Sequence, residues 1–401
     1  MQTIIFLYLI VFIRALATGM IGVLLGIYLV QIKLSVIEMG WVMSAGLLGS
    51  TLVTLLVTFK GEMLGRKHWL MLISLLSALG GMMLAQFTEP LFLGAAAFLG
   101  MINGMGRDRG AALVLEQALL PSLVDDQKRT LVFAWYNVLQ DVGHACGGIL
   151  AAMPTLLRYL DITEENSFRL TMIGYALLMS CGLFFYPFLS STVEVSHPQQ
   201  RLILSAQSRR ILARISALFA LDSLAGGFVG TALLAFYFYQ RFEVSEMTVG
   251  LLFLGARIAN AFSHLGAAWL AKRIGLVKTM VLTHIPSSLL LMTVTIAPNF
   301  WVAALLFLCR EGFVEMDVPT RQSYVMAVVQ PQERTFASGL THLVRLSGWS
   351  LAPVLGGWLM YFFDPAIPLL IGAGMKIIYD ILLYISFRSL QPPEEKKVEV
   401  P

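Results

Sequence analysis

Twelve stretches of this chain are apolar for long enough to cross a bilayer, and that succession limits the fold more than any other feature. A membrane-spanning helix needs roughly 20 apolar residues, since the hydrocarbon core is ~30 Å thick and each residue rises ~1.5 Å. Polar breaks and turn signals place the spans at about 4–31, 37–59, 68–87, 90–120, 130–157, 168–190, 211–239, 246–271, 277–297, 299–325, 335–362 and 365–387. Charged residues make up 13% of the chain, hydrophobic residues 57%, and mean hydropathy is +0.77. A soluble domain carries about 25% charged residues. The sequence predicts an all-α polytopic membrane protein. Only Met1-Gln2-Thr3 precede the first apolar run, with no basic n-region and no cleavage site, so the first span is expected to be its own targeting signal. Cys146, Cys181 and Cys309 all fall in separate spans, which gives neither a disulfide framework nor a metal site, and no cofactor is expected. The net charge of +4 comes from loop lysines and arginines and does not point to nucleic acid.

The longest polar gap divides the chain into a six-span half at 1–190, a linker at 191–210, a second six-span half at 211–388 and a polar tail at 389–401. With both termini on the cytoplasmic side, the inner loops hold sixteen lysines and arginines and the outer loops four, a positive-inside bias that orients the chain in a cell membrane. The halves are related. Sliding 14–39 onto 222–247 matches Gly19 with Gly227, Gly22 with Gly230 and Glu38 with Glu246. At an offset of 205, Gln117 meets Gln322, Arg129 meets Arg334 and Gly143 meets Gly348. Six spans preserve orientation on repetition, so the repeats are parallel.

The loop between spans 2 and 3 reads Thr58-Phe59-Lys60-Gly61-Glu62-Met63-Leu64-Gly65-Arg66-Lys67. Span 11 reads Gly348-Trp349-Ser350-Leu351-Ala352-Pro353-Val354-Leu355-Gly356-Gly357. With a 6+6 parallel repeat around charged spans, the chain resembles the major facilitator superfamily. Glu62, Gly65, Arg66 and Lys67 fit that superfamily's loop signature, with Thr58 in place of its first glycine; the second-half loop keeps Gly275 but has Lys272 at the acidic position. The span 11 run is similar to the glycine-proline pattern of superfamily antiporters. The resemblance implies a secondary transporter working by alternating access.

A charged side chain at the bilayer centre costs ~2.5–3.5 kcal/mol on insertion scales. Gly106-Arg107-Asp108-Arg109-Gly110 lies inside span 4, so its charges are expected to face water or opposite charges. On a continuous helix Arg107 and Arg109 point about 200° apart, Arg109 and Glu116 share a face, and Asp108 lies within about 80° of Glu116. Span 10 answers with Arg310, Asp317 and Arg321 on one face and Glu311 and Glu315 on another. Arg321 takes the place of Glu116, and Arg14 in span 1 takes the place of Asp222 in span 7. These reversals suggest opposite charges contributed to a shared interior. Arg14 lies ~15 Å into its span, too deep to snorkel, with Asp222, Asp141 or Glu116 as candidate partners. Span 5 carries Asn137, Asp141 and His144 on one face, and span 8 repeats such a ladder with Arg257, Asn260 and His264. Lys376 and Asp380 in span 12, four apart, read as a self-satisfying pair.

Neither a phosphate-cradling loop nor a hydrolase motif is present, so the chain reads as no enzyme. The expectation is a transporter of a small molecule in membrane lipid, acting as a monomer. Arg14, Arg107, Asp108, Arg109, Glu116, Asp222, Arg310, Glu311, Asp317 and Arg321 would bind substrate or gate the path. Asp108, Glu116, Asp141 and Asp222 would carry a coupling proton. The antiporter-like run favours proton-coupled export; proton-coupled uptake of a small organic anion, and a non-transporting membrane sensor or assembly protein, are the alternatives.

Overall fold

The computed structural model describes residues 2–108, 110–120, 126–189, 206–316, 321 and 334–387, and all regular structure among them is helical. In chain order the helices are α1 (Gln2–Gln31), α2 (Val36–Leu64), α3 (Arg66–Gln86), α4 (Pro90–Gly100), α5 (Ala111–Leu119), α6 (Asp126–Leu150), α7 (Met153–Arg158) and α8 (Glu164–Phe185). There follow α9 (Ala206–Phe228), α10 (Thr231–Phe242), α11 (Glu246–Ile274), α12 (Leu276–Thr295), α13 (Phe300–Val314), α14 (Arg334–Phe362) and α15 (Ile367–Phe387). Among the described residues, seven stretches are long and apolar enough to cross a membrane, and they are spans 1, 2, 3, 6, 7, 9 and 12 of the sequence. Spans 4, 5, 8, 10 and 11 are the shorter or more polar helices α4 with α5, α6, α11, α13 and α14. Arg109 and Asp317, most of the linker and the tail lie outside the described residues, as do the side chains of Lys60 and Glu62 within α2.

The chain packs as two compact units. The first draws on the described residues of 1–198, 229–254 and 350–365; the second on those of 199–228, 255–349 and 366–401. In the first unit α1 lies along α6, α8 and α10, and α3 along α4 and α8. The α1–α6 seam is set by small residues: a Cβ on Gly147 would fall on the Leu16 carbonyl, and one on Gly19 on the His144 carbonyl. Close backbone approach of this kind replaces the hydrophobic drive that lipid removes. Leu7, Val11, Leu70, Leu119 and Tyr136 are among the fully buried residues of this unit's core. In the second unit α12 packs on α13 and α15, and α15 on α9, around Leu212, Phe219, Met280 and Leu383.

Span 4 departs from the continuous helix expected at 90–120. It is unwound over residues 101–108 and at 110. α4 ends in a left-handed turn at Met101 (φ 52°), where the Ile102 N–H reaches the Ala97 carbonyl (2.9 Å) and the Met101 N–H the Phe98 carbonyl (3.3 Å). That is the usual glycine-type helix stop, made here by a methionine. Asn103 Oδ1 then takes the Met105 N–H (3.1 Å), Gly106 adopts φ +65°, and Asp108 Oδ1 takes the Gly110 N–H (3.1 Å). Short polar side chains and glycines outcompete helical bonds locally. The around-the-helix angles drawn for Arg107 and Asp108 therefore do not apply, and Arg109 lies outside the described residues.

Gly46 of α2 faces the first residues of this break, and a Cβ there would collide with the Ile102 carbonyl. Gly46→Val is expected to lower stability by ~1–3 kcal/mol or more, read as a fall in thermal midpoint in detergent. Gly94→Ala, with nothing within 4 Å of the new methyl, is expected to hold or raise it.

Candidate functional site

Arg14 is the hub of the first unit. It sits on α1 with 8% of its surface exposed. Its Nε donates to Asp108 Oδ2 (2.5 Å), and its two terminal nitrogens donate to Glu116 Oε1 and Oε2 (both 2.5 Å). Glu116, on α5, is fully buried. It also accepts from Tyr136 Oη of α6 (2.8 Å) and from Tyr186 Oη in the turn after α8 (2.6 Å). Four donors saturate this carboxylate, which is the condition under which a buried ion can stand. Among the described residues, Asp108 accepts one guanidinium N–H and one backbone N–H. Its own N–H donates to His144 Nε2 (3.2 Å), which fixes that ring nitrogen as an acceptor.

A cavity of about 40 Å³ opens beside Arg14 and Asp108, with Thr18, Ser50, Asn103 and Tyr175 among its walls. It has room for roughly three waters. An organic ligand needs ~300–1,000 Å³. At this size the cavity is water-scale.

The second unit carries the same device with its signs exchanged. Asp222 of α9 is 2% exposed. Lys376 Nζ lies 3.0 Å from Asp222 Oδ1, while Arg321 (3.2 Å) and Arg345 (3.8 Å) approach Oδ2. Arg321 stacks over Phe219 at 5.5 Å and Arg345 over Trp349 at 4.7 Å, which offsets their desolvation. Arg310 and Glu311 pair with each other. Of the partners considered for Arg14, Glu116 is the one taken, together with Asp108. Asp141 is partly buried on α6 and makes no ion pair among the described residues; Arg107 is partly buried in the break. Lys376 and Asp380 do not satisfy one another as their spacing suggested: the lysine goes to Asp222 and Asp380 to His284 (3.1 Å). Tyr136, Tyr186 and His284 were not singled out in the sequence, since a lone tyrosine or histidine in an apolar run carries no local mark of its distant partner.

The loops that carry the motif are tight turns. Gly65 separates α2 from α3 at φ 78°, and Gly275 separates α11 from α12 at φ 88°, conformations that favour glycine. Lys67 Nζ reaches the Pro187 carbonyl (2.5 Å), placing a cation at the carbonyl end of α8.

Parallel repeats of membrane-spanning helices, an interrupted span and buried ion-pair hubs define a polytopic transporter. The family model described as Major Facilitator Superfamily matches residues 7–239 and again 215–401, so the chain belongs to that superfamily and is a secondary transporter, not an enzyme. A yeast (Saccharomyces cerevisiae) chain described as uncharacterized membrane protein YJR124C is 22% identical over 97% of this chain and 94% of its own length. The crystal structure of the nucleoside transporter NupG superposes with a TM-score of 0.76 at 16% identity, covering 97% of this chain and 100% of that one. A bacterial homologue of the iron transporter ferroportin, in its inward-facing state, gives 0.72 at 16% identity over 96% and 98%. At such identities the likeness is one of fold.

Removing Glu116 would strand the Arg14 charge in a buried site. Glu116→Gln is expected to cost ~3–5 kcal/mol. Tyr186→Phe, which deletes the bond to Glu116 and the one accepted from Arg14, is expected to cost ~1.5–3 kcal/mol, less than loss of the carboxylate charge. Thermal unfolding of the purified variants in one detergent checks the order.

Proposed function

We propose that this transporter couples proton movement to export of a small solute by antiport, and that Asp108 carries the proton. The observation that supports this most directly is the break in span 4. Non-helical backbone at membrane depth is tolerated where it is buried in protein or lines a cavity, and interrupted spans are where transporters build ion and substrate sites. Here the break brings Asp108, which among the described residues has fewer hydrogen-bond partners than Glu116, beside a water-sized cavity. On protonation Asp108 releases its bond from Arg14 Nε, while Arg14 keeps its two bonds to Glu116. The hub survives the cycle and only one arm moves. Glu116, saturated by four donors, acts as the anchor.

Outward transport is favoured by the glycine-proline run of span 11. Within α14 the Pro353 carbonyl abuts Gly40, the Val354 N–H bonds Ser44 Oγ (3.0 Å), and a Cβ on Gly357 would meet the Val36 carbonyl. In this reading 1–190 and 211–388 are the moving halves, both termini are cytoplasmic, and the chain works as a monomer in the cell membrane.

Proteoliposomes loaded with a panel of labelled solutes test the proposal. With the wild type, an inward-directed proton gradient is expected to drive efflux of at least one solute. Asp108→Asn is expected to reduce gradient-driven flux to background while leaving solute exchange without a gradient. Wild-type gradient-driven flux in that variant would remove Asp108 from the coupling step, and uptake in place of efflux would reverse the direction.

A further inference from the structure

The second unit holds a titratable pair that the function above does not use. His284 lies on α12 with 2% of its surface exposed, and Asp380 on α15 is fully buried. His284 Nδ1 and Asp380 Oδ1 are 3.1 Å apart, and the Tyr379 ring closes on the imidazole edge-on with centroids 6.3 Å apart. The other oxygen, Asp380 Oδ2, is enclosed with no hydrogen-bond partner among the described residues. A ring nitrogen and a carboxylate oxygen come this close with a hydrogen between them. That hydrogen is present even when a neutral His284 donates to the Asp380 anion, so the proton that matters is a further one, which the enclosed pair can bind or release. With it the pair is neutral overall, and without it Asp380 is an anion with a bare buried oxygen.

Two acids share one lysine here. Lys376 lies one helical turn before Asp380 on α15, yet its Nζ is bonded to Asp222 on α9. Asp222 and Lys376 are the charged groups that act on Asp380 alongside His284. Arg321 and Arg345 face Asp222, and the charged residues of α13, which packs on α12, are Arg310 and Glu311, paired with each other. Pro286, two residues beyond His284 inside α12, removes a helical hydrogen bond there and leaves that turn freer to adjust.

We propose that His284 and Asp380 form a proton-binding site that decides which acid holds Lys376. Loaded, the pair is neutral and Lys376 stays on Asp222. When the proton leaves to water, the Asp380 anion draws the ammonium at i−4 on its own helix, and Asp222 keeps only its two arginines. The spacing that reads as a Lys376–Asp380 pair in the sequence and the Lys376–Asp222 bond in the structure are the two positions of one switch. Its use in transport rests on the proton-coupled reading above; its existence does not.

Infrared pH-difference spectra of the full-length protein in liposomes test this without a substrate. A carboxylic C=O band that titrates in the wild type is expected to vanish in Asp380→Asn and to shift in His284→Gln. Lys376→Met removes the cation that favours the anion, so the band should persist to higher pH. Wild-type protein labelled with 15N-histidine should show one ring that exchanges which nitrogen carries its hydrogen in step with the band, which frees the result from variant folding. A band unchanged in Asp380→Asn, an unmoved midpoint in Lys376→Met, or no such histidine would overturn the site. A titrating pair in a protein whose flux ignores the proton gradient would uphold the site and overturn the coupling reading instead.

Discussion

The bidentate contact between Arg14 and Glu116 is what the rest of the first unit has to accommodate. Neither ion tolerates removal from water unless its hydrogen-bonding capacity is filled, and lipid offers nothing to fill it. The partners come from separate elements: Arg14 from α1, Glu116 from α5, Tyr136 from α6 and Tyr186 from the turn after α8. Four segments are thereby fixed to one point. The glycine seam between α1 and α6 lets those backbones come close enough for the side chains to meet.

The second unit solves the same problem with charges reversed. Arg14 and Asp222 occupy equivalent places in the two repeats, as do Glu116 and Arg321, and each repeat closes its own pair. Attraction between unlike charges is indifferent to which helix carries which sign. A repeated fold can therefore keep the contact while exchanging the residues. The surroundings cannot be exchanged so freely. An arginine hub needs acceptors, and finds Asp108 and a tyrosine oxygen; an aspartate hub needs donors, and finds Lys376 and Arg345.

Much of this was legible in the sequence, for reasons that also explain the rest. Apolar length is local and additive, so the all-helical membrane-spanning fold could be read directly. The reversal of sign at Arg14 and Asp222 was visible by alignment, but not where each pair closes, because contacts 99 to 102 residues apart leave no periodic trace. Gly106-Arg107-Asp108-Arg109-Gly110 drew notice for its charge, while its conformation was missed. Apolar periodicity carried the helix across 101–110, yet Asn103, Gly104, Gly106 and Gly110 were the local signals of a break. His284 escaped because its partner lies 96 residues away.

The break also settles a hydrogen-bond account that would otherwise be costly. The Gly104 carbonyl accepts the Ala232 N–H (2.7 Å) and the Met105 carbonyl accepts the Thr231 hydroxyl (2.9 Å). Those donors stand at the start of α10, where a helix has N–H groups without internal partners. Two discontinuities, one in span 4 and one in span 7, thus satisfy each other inside the first unit. Neither can separate alone without exposing polar backbone to an apolar interior. Movement of α10 must therefore carry residues 104 and 105 with it or break both bonds. Asp108 follows three residues later, its N–H held by His144 and its carboxylate by Arg14. The same stretch of backbone that orients the Asp108 carboxylate also holds α10, so the two positions are tied through a few residues of chain.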